Sequence, residues 1–152
     1  MNIEVCEKEI TPELMDLLLS ADPDEQAILS YLPRSHIVIC KDSGEYLGVA
    51  VLVELAETAE IFELKNIAVR KDCQGKGIAK SMISIIKKLA KESGAKILEV
   101  GTGNSSLSQI ALYQKCGFRM HSIEPGFFDN YPEPIYENGI RCFDMVRLRV
   151  EL

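Results

Sequence analysis

The spacing of apolar residues changes several times along the chain, and each change predicts a new element. Continuous or alternating apolar runs of about four to ten residues indicate strands, whereas apolar residues three and four positions apart indicate helices. The resulting order, β-α-α-β-β-β-α-β-α-β-β, favours an α+β fold in which helices pack on a mixed sheet. We predict strands over 3–6, 37–40, 46–55, 61–69, 96–101, 118–123 and 140–150, and helices that begin near Thr11 and Asp22 and over 77–93 and 105–115.

The stretch 67–80 carries the strongest local signal. The apolar run Ile-Ala-Val at 67–69 leads into a turn that contains Gly75 and Gly77, and a helix with one apolar face follows. Unpaired backbone N–H groups meet at the start of a helix, and the helix dipole adds partial positive charge there. We therefore predict that this turn holds the pyrophosphate of a nucleotide-derived cofactor.

Two other glycine motifs are weaker interpretations. The P-loop pattern GxxxxGK[ST] is absent from the turn at Gly75 and Gly77. The run 97–103, Ile-Leu-Glu-Val-Gly-Thr-Gly, resembles the strand and glycine turn of methyltransferases that bind S-adenosylmethionine, and also a dinucleotide fingerprint. It has no third glycine, and about fifty residues follow it, too few for a doubly wound sheet. This second interpretation stays a minor alternative.

Length and composition narrow the class of protein. The 152 residues, of which 47% are hydrophobic and 26% charged, suit one domain over 1–152 with a sizeable core. No apolar run approaches the ~20 residues that span a bilayer, and the first residues lack a secretory pattern. The five cysteines are scattered and form no CxxC pair, so neither a disulfide framework nor a zinc site is indicated. We expect a cytoplasmic protein that has no membrane partner and no metal.

The charge is unevenly distributed. The net charge is −6, which disfavours a general nucleic-acid binder. Eight basic residues and one acidic residue lie between positions 65 and 91, a local charge of +7, so the remainder carries −13. Part of this basic stretch is typical of a solvated helix face, whereas Arg70, Lys71, Lys76 and Lys80 surround the predicted anion site. The acidic remainder favours a cationic substrate.

A third interpretation of the glycine turn accounts for more of the chain. Gln74-Gly75-Lys76-Gly77-Ile78-Ala79 has the pattern [QR]-x-x-G-x-[GA] directly after the strand, and a second motif follows at 104–118. There Asn104 precedes a helix that carries Tyr113 and ends in Gly117-Phe118. In both motifs and in element order, nearly the whole chain resembles the GNAT superfamily of acyl-CoA-dependent N-acyltransferases. The resemblance implies a mostly antiparallel sheet of about seven strands, splayed between strands 4 and 5 and flanked by about four helices.

The resemblance also implies acetyl-CoA as the acyl donor. Backbone N–H groups of the glycine turn would bind the pyrophosphate, the edge of strand 67–69 would pair with the pantetheine arm, and Asn104 would contact the arm from the other side. The family needs no metal. The implied cofactor-binding residues are Ile67, Ala68, Val69, Gln74, Gly75, Lys76, Gly77, Ile78, Ala79, Lys80 and Asn104.

Transfer of an acetyl group to an amine needs a base for the amine and an acid for the departing thiolate. By its match to the family, Tyr113 is the candidate acid. Glu63, on the strand that leads into the glycine turn, is the candidate base, although an exposed strand glutamate fits equally. Strand alternation places Glu63 and Ile67 on one face unless a β-bulge intervenes. Direct attack in a ternary complex is preferred to an acyl-cysteine route, and a non-catalytic acyl-CoA-binding domain is the alternative function.

The loop 125–138 is the least family-like stretch, being long and rich in aromatic and acidic residues. It is interpreted either as a wall of the acceptor site or as a hairpin or homodimer contact. The acceptor is a small-molecule amine or a protein amino group. The residues assigned to the wall are Phe127, Phe128, Tyr131 and Tyr136, and those assigned to an ammonium are Asp129, Glu133 and Glu137.

Overall fold

A computed structural model of the protein describes residues 1–6, 9–55 and 60–152. The predicted elements are present in the predicted order, with one additional short hairpin. The elements are β1 (Asn2–Cys6), α1 (Pro12–Ala21), α2 (Glu25–Tyr31), β2 (Ser35–Asp42), β3 (Glu45–Glu54), β4 (Ile61–Val69), α3 (Ile78–Glu92), β5 (Ile97–Gly103), α4 (Leu107–Lys115), β6 (Arg119–Glu124), β7 (Tyr136–Glu137), β8 (Ile140–Arg141) and β9 (Met145–Glu151).

Seven strands form one sheet in the order β1-β2-β3-β4-β5-β9-β6. Neighbouring strands are antiparallel except β4 and β5, which are parallel and pair only over Ile61–Leu64 and Ile97–Val100. The remainder of β4 pairs with β3 on its other side. The sheet therefore opens between its fourth and fifth strands, which confirms the predicted mixed, splayed sheet.

Helices cover the sheet on both faces. On one face α3 contributes the fully buried Met82 and Ile86 to a core that includes Tyr113 of α4. On the other face, Leu14 and Leu18 of α1 pack with Ile28 of α2. Strand β3 is apolar at consecutive positions because its alternate side chains enter these two different cores.

Helix capping follows the sequence signals. The Thr11 hydroxyl accepts a hydrogen bond from the Leu14 N–H at 3.3 Å, and the Asp24 carboxylate accepts one from the Ala27 N–H at 3.2 Å. These bonds satisfy donors that the first helical turn leaves unpaired. The α-helical part of the second helix ends before Pro33, and the chain continues as one 3-10 turn over Leu32–Arg34.

The prediction of one final strand over 140–150 is wrong. The chain first forms the hairpin of β7 and β8, and a separate strand, β9, begins at Met145. The two turn residues are Asn138 and Gly139, with φ of 57° and 73°. Asn-Gly is the preferred pair for a two-residue hairpin turn because both positions need positive φ. The Asn138-Gly139 pair is therefore a local sequence signal for this hairpin.

A bulge in β4 changes which residues share a face. Val51 pairs with Asn66 and Leu52 pairs with Leu64, so Lys65 is an extra residue on β4. The expected alternation therefore breaks, and Ile67 packs in the core beneath α3. Glu63 and Ile67 do not lie on one face, because a residue inserted into a strand reverses the side on which later side chains project.

Candidate active site

The glycine turn joins the end of β4 to the start of α3. Gly75 and Gly77 have φ of 79° and 84°, and a Cβ atom at either would meet nothing within 4 Å. Their left-handed conformation, not crowding, is therefore the reason for glycine here. The Gln74 side chain donates a hydrogen bond to the Val69 carbonyl at 3.1 Å, which fastens the turn to the strand.

The first turn of α3 presents free backbone donors. Gly77 is the N-cap and makes no side-chain capping bond, and the Ser81 N–H is the donor that returns to the Gly77 carbonyl, at 3.1 Å. The preceding N–H groups, of Ile78, Ala79 and Lys80, have no intrahelical acceptor. An anionic group is stabilised at such a helix end by these donors and by the dipole.

A cleft of about 470 Å³, here called the donor cleft, lies against this turn. The end of β4, the turn, the start of α3 and one side of α4 line it. Ala68 and Lys76 are not among its lining residues, and the Ala68 side chain packs in the opposite core. The predicted residues that line it are Ile67, Val69, Gln74, Gly75, Gly77, Ile78, Ala79 and Lys80.

The cations at the donor cleft differ from those expected. Lys80 lines it as predicted, and Lys115 at the end of α4 joins it from the other side. Arg70 instead pairs with Asp72 at 2.7 Å and with Glu45 at 3.1 Å, which occupies its guanidinium. Sequence reasoning missed Lys115 because its approach to the turn depends on how α4 packs.

A second cavity of about 550 Å³, here called the acceptor cavity, adjoins the donor cleft. Ile67 and Gln109 line both, so the two spaces meet at β4 and α4. Glu63 and Tyr113, which are 50 positions apart in sequence, both line the acceptor cavity. The structure therefore brings the two predicted catalytic side chains to one space beside the donor cleft.

Three of the four predicted aromatic residues form one wall of the acceptor cavity. The Phe127 and Phe128 ring centroids are 4.9 Å apart, and those of Phe128 and Tyr131 are 5.3 Å apart. Tyr136 lies in β7, is 63% exposed, and does not line the cavity. The loop 125–138 therefore contributes a compact aromatic surface to this site.

The acidic residues at the acceptor cavity are partly those expected. Glu137 lines it, and its carboxylate accepts a hydrogen bond from the Ser106 hydroxyl at 2.8 Å. Asp129 and Glu133 do not line it, whereas Asp22, from the connection between α1 and α2, does. Desolvation by burial raises the pKa of Asp22, and the hydrogen bond that its carboxylate accepts from the Asp24 N–H opposes the rise.

Glu63 is 8% exposed, and its carboxylate forms no hydrogen bond within the described ranges. The nearest cationic atoms are Arg147 Nη1 at 3.7 Å and Lys65 Nζ at 3.8 Å, both beyond hydrogen-bond distance. Burial raises the pKa of Glu63, while Lys65 and Arg147 oppose the rise. Glu63 is thus a buried carboxylate whose oxygens remain available to a donor that enters the cavity.

Tyr113 is 4% exposed and packs edge-on against Phe118, with ring centroids 5.8 Å apart. Burial raises the pKa of its phenol, and the neighbouring Cys116 acts in the same direction. The hydroxyl is therefore neutral throughout the physiological range of pH. A neutral phenol in an apolar setting can donate a hydrogen bond or a proton to a developing anion.

Asn104 has a different setting from the one expected. Its amide donates to the Arg141 carbonyl at 3.0 Å and accepts from the Phe143 and Asp144 N–H groups at 2.8 and 3.0 Å. It lines neither the donor cleft nor the acceptor cavity. These bonds hold the segment that carries Cys142 into the cavity wall, and contact with the cofactor arm stays a prediction.

Asn66 is a cavity residue that sequence reasoning missed. Its Nδ2 donates to the Leu18 carbonyl at 3.1 Å and to the Tyr31 hydroxyl at 3.0 Å. Its Oδ1 is buried and has no partner among the described residues, as is also true of Gln109 Oε1. Only the bulge at Lys65 turns Asn66 toward the face of Glu63, and no local sequence signal predicted that bulge position.

The glycines at 101–103 do not form a nucleotide turn. β5 runs through them as a strand paired with β9. A Cβ atom at Gly101 would lie 2.7 Å from Met145 Sδ, and one at Gly103 would lie 2.4 Å from Cys142 Sγ. These glycines are needed for close packing, which removes the basis of the methyltransferase interpretation.

Across residues 1–6, 9–55 and 60–152, no group of three or more His, Cys, Asp and Glu side chains is arranged to hold a metal ion. None of the helices in those same ranges has the length and apolar character needed to cross a bilayer.

Comparison with known proteins gives a consistent family assignment. A family model described as the acetyltransferase (GNAT) family matches residues 4–118. A relative from Bacillus subtilis (strain 168), named as an uncharacterized N-acetyltransferase, is 44% identical over 153 residues, covering 100% of this chain and 97% of the relative.

Two solved structures are closely similar. The crystal structure of a Bacillus subtilis acetyltransferase in complex with CoA has a TM-score of 0.93 at 44% identity, covering 99% of this chain and 97% of that one. A GNAT family acetyltransferase from Elizabethkingia anophelis with acetyl-CoA bound has a TM-score of 0.91 at 42% identity and the same coverage. With the family model matching most of its length and a relative aligned along all of it, this chain belongs to the GNAT family of acetyltransferases.

Proposed function

We propose that the protein is an N-acetyltransferase that moves the acetyl group of acetyl-CoA to a primary amine by direct attack in a ternary complex. The observation that carries this proposal is the junction of the two cavities at Ile67 and Gln109. The donor cleft has a helix start without a side-chain cap, and the acceptor cavity is lined by Glu63 and Tyr113. The two similar structures that hold CoA and acetyl-CoA support the choice of donor.

The residues of the donor cleft suit a nucleotide-linked thioester. Backbone N–H groups from Ile78 to Lys80 would bind the pyrophosphate, with the Lys80 and Lys115 ammonium groups nearby. Past Leu64, β4 has no pairing with β5, so its backbone at 67–69 is available to an extended arm. We assign Asn104 the task of holding the 141–144 segment, given its three hydrogen bonds.

The acceptor must lose a proton before it can attack. An alkylammonium with a pKa of ~10.4 is about one part in 10³–10⁴ free amine at neutral pH. Glu63 would accept that proton, and its raised pKa brings it closer to the value at which a base works well near neutrality. Bound acetyl-CoA would supply the activated acyl group, and a backbone N–H near Ile67 or Ala68 would stabilise the negative charge on the carbonyl oxygen.

Tyr113 completes the transfer. As the new C–N bond forms and the C–S bond breaks, the sulfur leaves with the electron pair of that bond. A phenol that remains protonated in its buried setting can donate a proton to this sulfur. Glu63 then passes the proton it accepted to solvent, the nitrogen loses its second proton to solvent as the amide forms, and Tyr113 takes one proton back from solvent, so that one proton is released for each ammonium acetylated.

The acceptor cavity favours a small amine with an apolar or aromatic body. Its volume of about 550 Å³ lies in the range of small-molecule sites. Phe127, Phe128 and Tyr131 would contact that body, while Asp22 and Glu137 would attract the ammonium group. A non-catalytic acyl-CoA-binding domain would need the donor cleft alone, so the buried Glu63 and Tyr113 beside it favour the enzyme.

The test is a thiol-release assay with acetyl-CoA across a panel of amines and peptides. We expect release with at least one primary amine, and a loss of about 10²–10⁴-fold in kcat/KM for Glu63→Gln. Glu13→Gln, the same change on the exposed side of α1, is the matched control and should leave the rate unchanged. No release with any acceptor, or full activity of Glu63→Gln, would contradict the proposal.

A further inference from the structure

A row of charged side chains crosses the sheet beneath the acceptor cavity. In register, Glu63 of β4 lies opposite Glu99 of β5, which lies opposite Arg149 of β9. Arg147, two residues before Arg149, projects on the same face and also lines the cavity. With Glu124 of β6 these residues form what we call the carboxylate–arginine cluster.

Two carboxylates of the cluster hold its arginines firmly. Glu99 accepts a hydrogen bond from Arg149 Nε at 2.8 Å and lies 3.5 Å from Arg147 Nη1. Glu124 accepts a hydrogen bond from Arg147 Nε. Arg147 is therefore held by its hydrogen bond to Glu124, with the charge of Glu99 nearby.

Glu63 is bound differently from the other two carboxylates. Its Oε2 lies 3.7 Å from Arg147 Nη1, too far for a hydrogen bond but close enough for a strong electrostatic effect. The guanidinium has space to approach because position 101 is glycine: a Cβ atom there would lie 3.2 Å from Nη1. Glu63 thus experiences the charge of Arg147 while keeping its acceptor oxygens for another donor.

From this geometry we propose that Arg147 is a positioning residue that keeps Glu63 ionised in the cavity without forming a hydrogen bond to it. The negative charge of Glu99 opposes this effect and limits it. The inference rests on the proposed function, in which Glu63 accepts a proton from the amine. A base already bound by an arginine through two short hydrogen bonds would be a poor proton acceptor. Because Arg147 donates its Nε hydrogen bond to Glu124 and stays 3.7 Å from Glu63, that outcome is avoided.

Charged and titratable groups face Glu63 from every neighbouring element. Burial raises the pKa of Glu63, Lys65 on its own strand and Arg147 on β9 lower it, and Glu99 on β5 and Glu124 on β6 raise it. Tyr31 of α2 also interacts with it. Removal of Arg147 and removal of the Glu99 charge should therefore shift the ionisation of Glu63 in opposite directions.

The experiment measures kcat/KM against pH with the best amine of the panel for Arg147→Met and Glu99→Gln. For Arg147→Met we expect the acidic limb of the kcat/KM profile to move to higher pH by about half a pH unit or more. At a given pH on that limb, this shift is roughly a threefold loss of ionised Glu63 and of kcat/KM. For Glu99→Gln it should move to lower pH. Arg147→Lys, which keeps the charge, should restore most of the wild-type profile.

The control is Lys88→Met, which removes one positive charge from the exposed surface of α3. Its profile should match the wild type. Shifts of Arg147→Met and Glu99→Gln in the same direction, or no shift in either, would overturn the inference. Thermal unfolding of each variant verifies that it is folded.

A second measurement separates this inference from the proposed function. Carbon-13 NMR of the glutamate side-chain carboxyls, with Glu63→Gln used for assignment, follows Glu63 in the protein without substrate. Opposite shifts in its titration would support the role of Arg147 even if no amine were acetylated. Normal turnover with an unmoved Glu63 titration would contradict the inference and leave the function intact.

Discussion

At the scale of single residues, burial affects Glu63 and Tyr113 in the same direction but with different chemical consequences. It raises the pKa of both groups. For Glu63 the change makes the carboxylate a stronger base, whereas for Tyr113, already protonated at neutral pH, it makes the phenol a weaker acid that gives up its proton only to a strong base such as a departing thiolate. The two side chains line the same cavity although they are 50 positions apart in sequence, so the fold brings the proposed proton acceptor and donor together.

Replacement of the Tyr113 hydroxyl tests its part in the reaction. We expect Tyr113→Phe to bind acetyl-CoA normally, because the ring still packs on Phe118, and to lower kcat by at least about tenfold. Binding is measured by calorimetry and turnover by thiol release. Tyr136→Phe, the same change at an exposed position outside the cavity, should have no effect. An unchanged kcat for Tyr113→Phe would remove the assigned role.

At the scale of elements, the donor cleft depends on one strand–turn–helix unit. β4 ends at Val69, the turn contains two glycines with positive φ, and α3 begins at Ile78 without a side-chain cap. An uncapped helix start leaves its donors free for a ligand. The acceptor cavity depends instead on the bulge at Lys65, which puts two of its lining residues, Glu63 and Asn66, on one face of the sheet.

A negative charge at the glycine turn should abolish donor binding. Gly77→Glu places a carboxylate where the pyrophosphate is proposed to bind, and we expect no acetyl-CoA binding by calorimetry. Gly77→Ala adds only backbone strain of about 1–2 kcal/mol and should weaken binding without abolishing it.

Gly94→Glu is the matched control for the turn. Gly94 also has positive φ and open space, but it lies at the other end of α3. It therefore carries the same strain and the same charge change, and it should bind acetyl-CoA normally. Retained binding by Gly77→Glu would contradict the placement of the pyrophosphate.

At the scale of the whole molecule, the sheet separates two cores, and the site lies where the sheet opens. β4 and β5 pair over four residues each, so the two halves of the sheet diverge beyond Leu64 and Val100. The core beneath α1 and α2 supports β4 from the side opposite α3. The position of Glu63 and Asn66 therefore depends on helices that contribute few residues to the chemistry.

Loss of packing in the α1–α2 core should destabilise the whole fold. Leu18 is fully buried, and Leu18→Ala should lower the free energy of unfolding by about 2–5 kcal/mol through the cavity it leaves. Urea denaturation measures the change. Leu29→Ala makes the same substitution on α2 at a position that is 54% exposed, and it should change stability by less than about 1 kcal/mol. Equal effects would contradict the described core.

Local signals in the sequence were sufficient for much of the fold and for the donor cleft. Apolar spacing predicted the order of the main elements, and the family resemblance carried by the motifs at 74–79 and 104–118 implied eight residues that line the cleft. The signal for the β7–β8 hairpin is equally local, at Asn138 and Gly139. Such features are readable because neighbouring residues alone determine turn geometry and helix starts.

The sequence by itself determined the secondary-structure order, the family and the glycine turn, since each depends on residues close together in the chain. Only the tertiary structure decided that Lys65 is bulged, that Asn66 rather than Ile67 shares a face with Glu63, and that Lys115 reaches the donor cleft. It also decided that Arg147 lies between Glu63 and Glu99. Those contacts join residues up to 84 positions apart, and their energies depend on register, burial and distance, which no local pattern records.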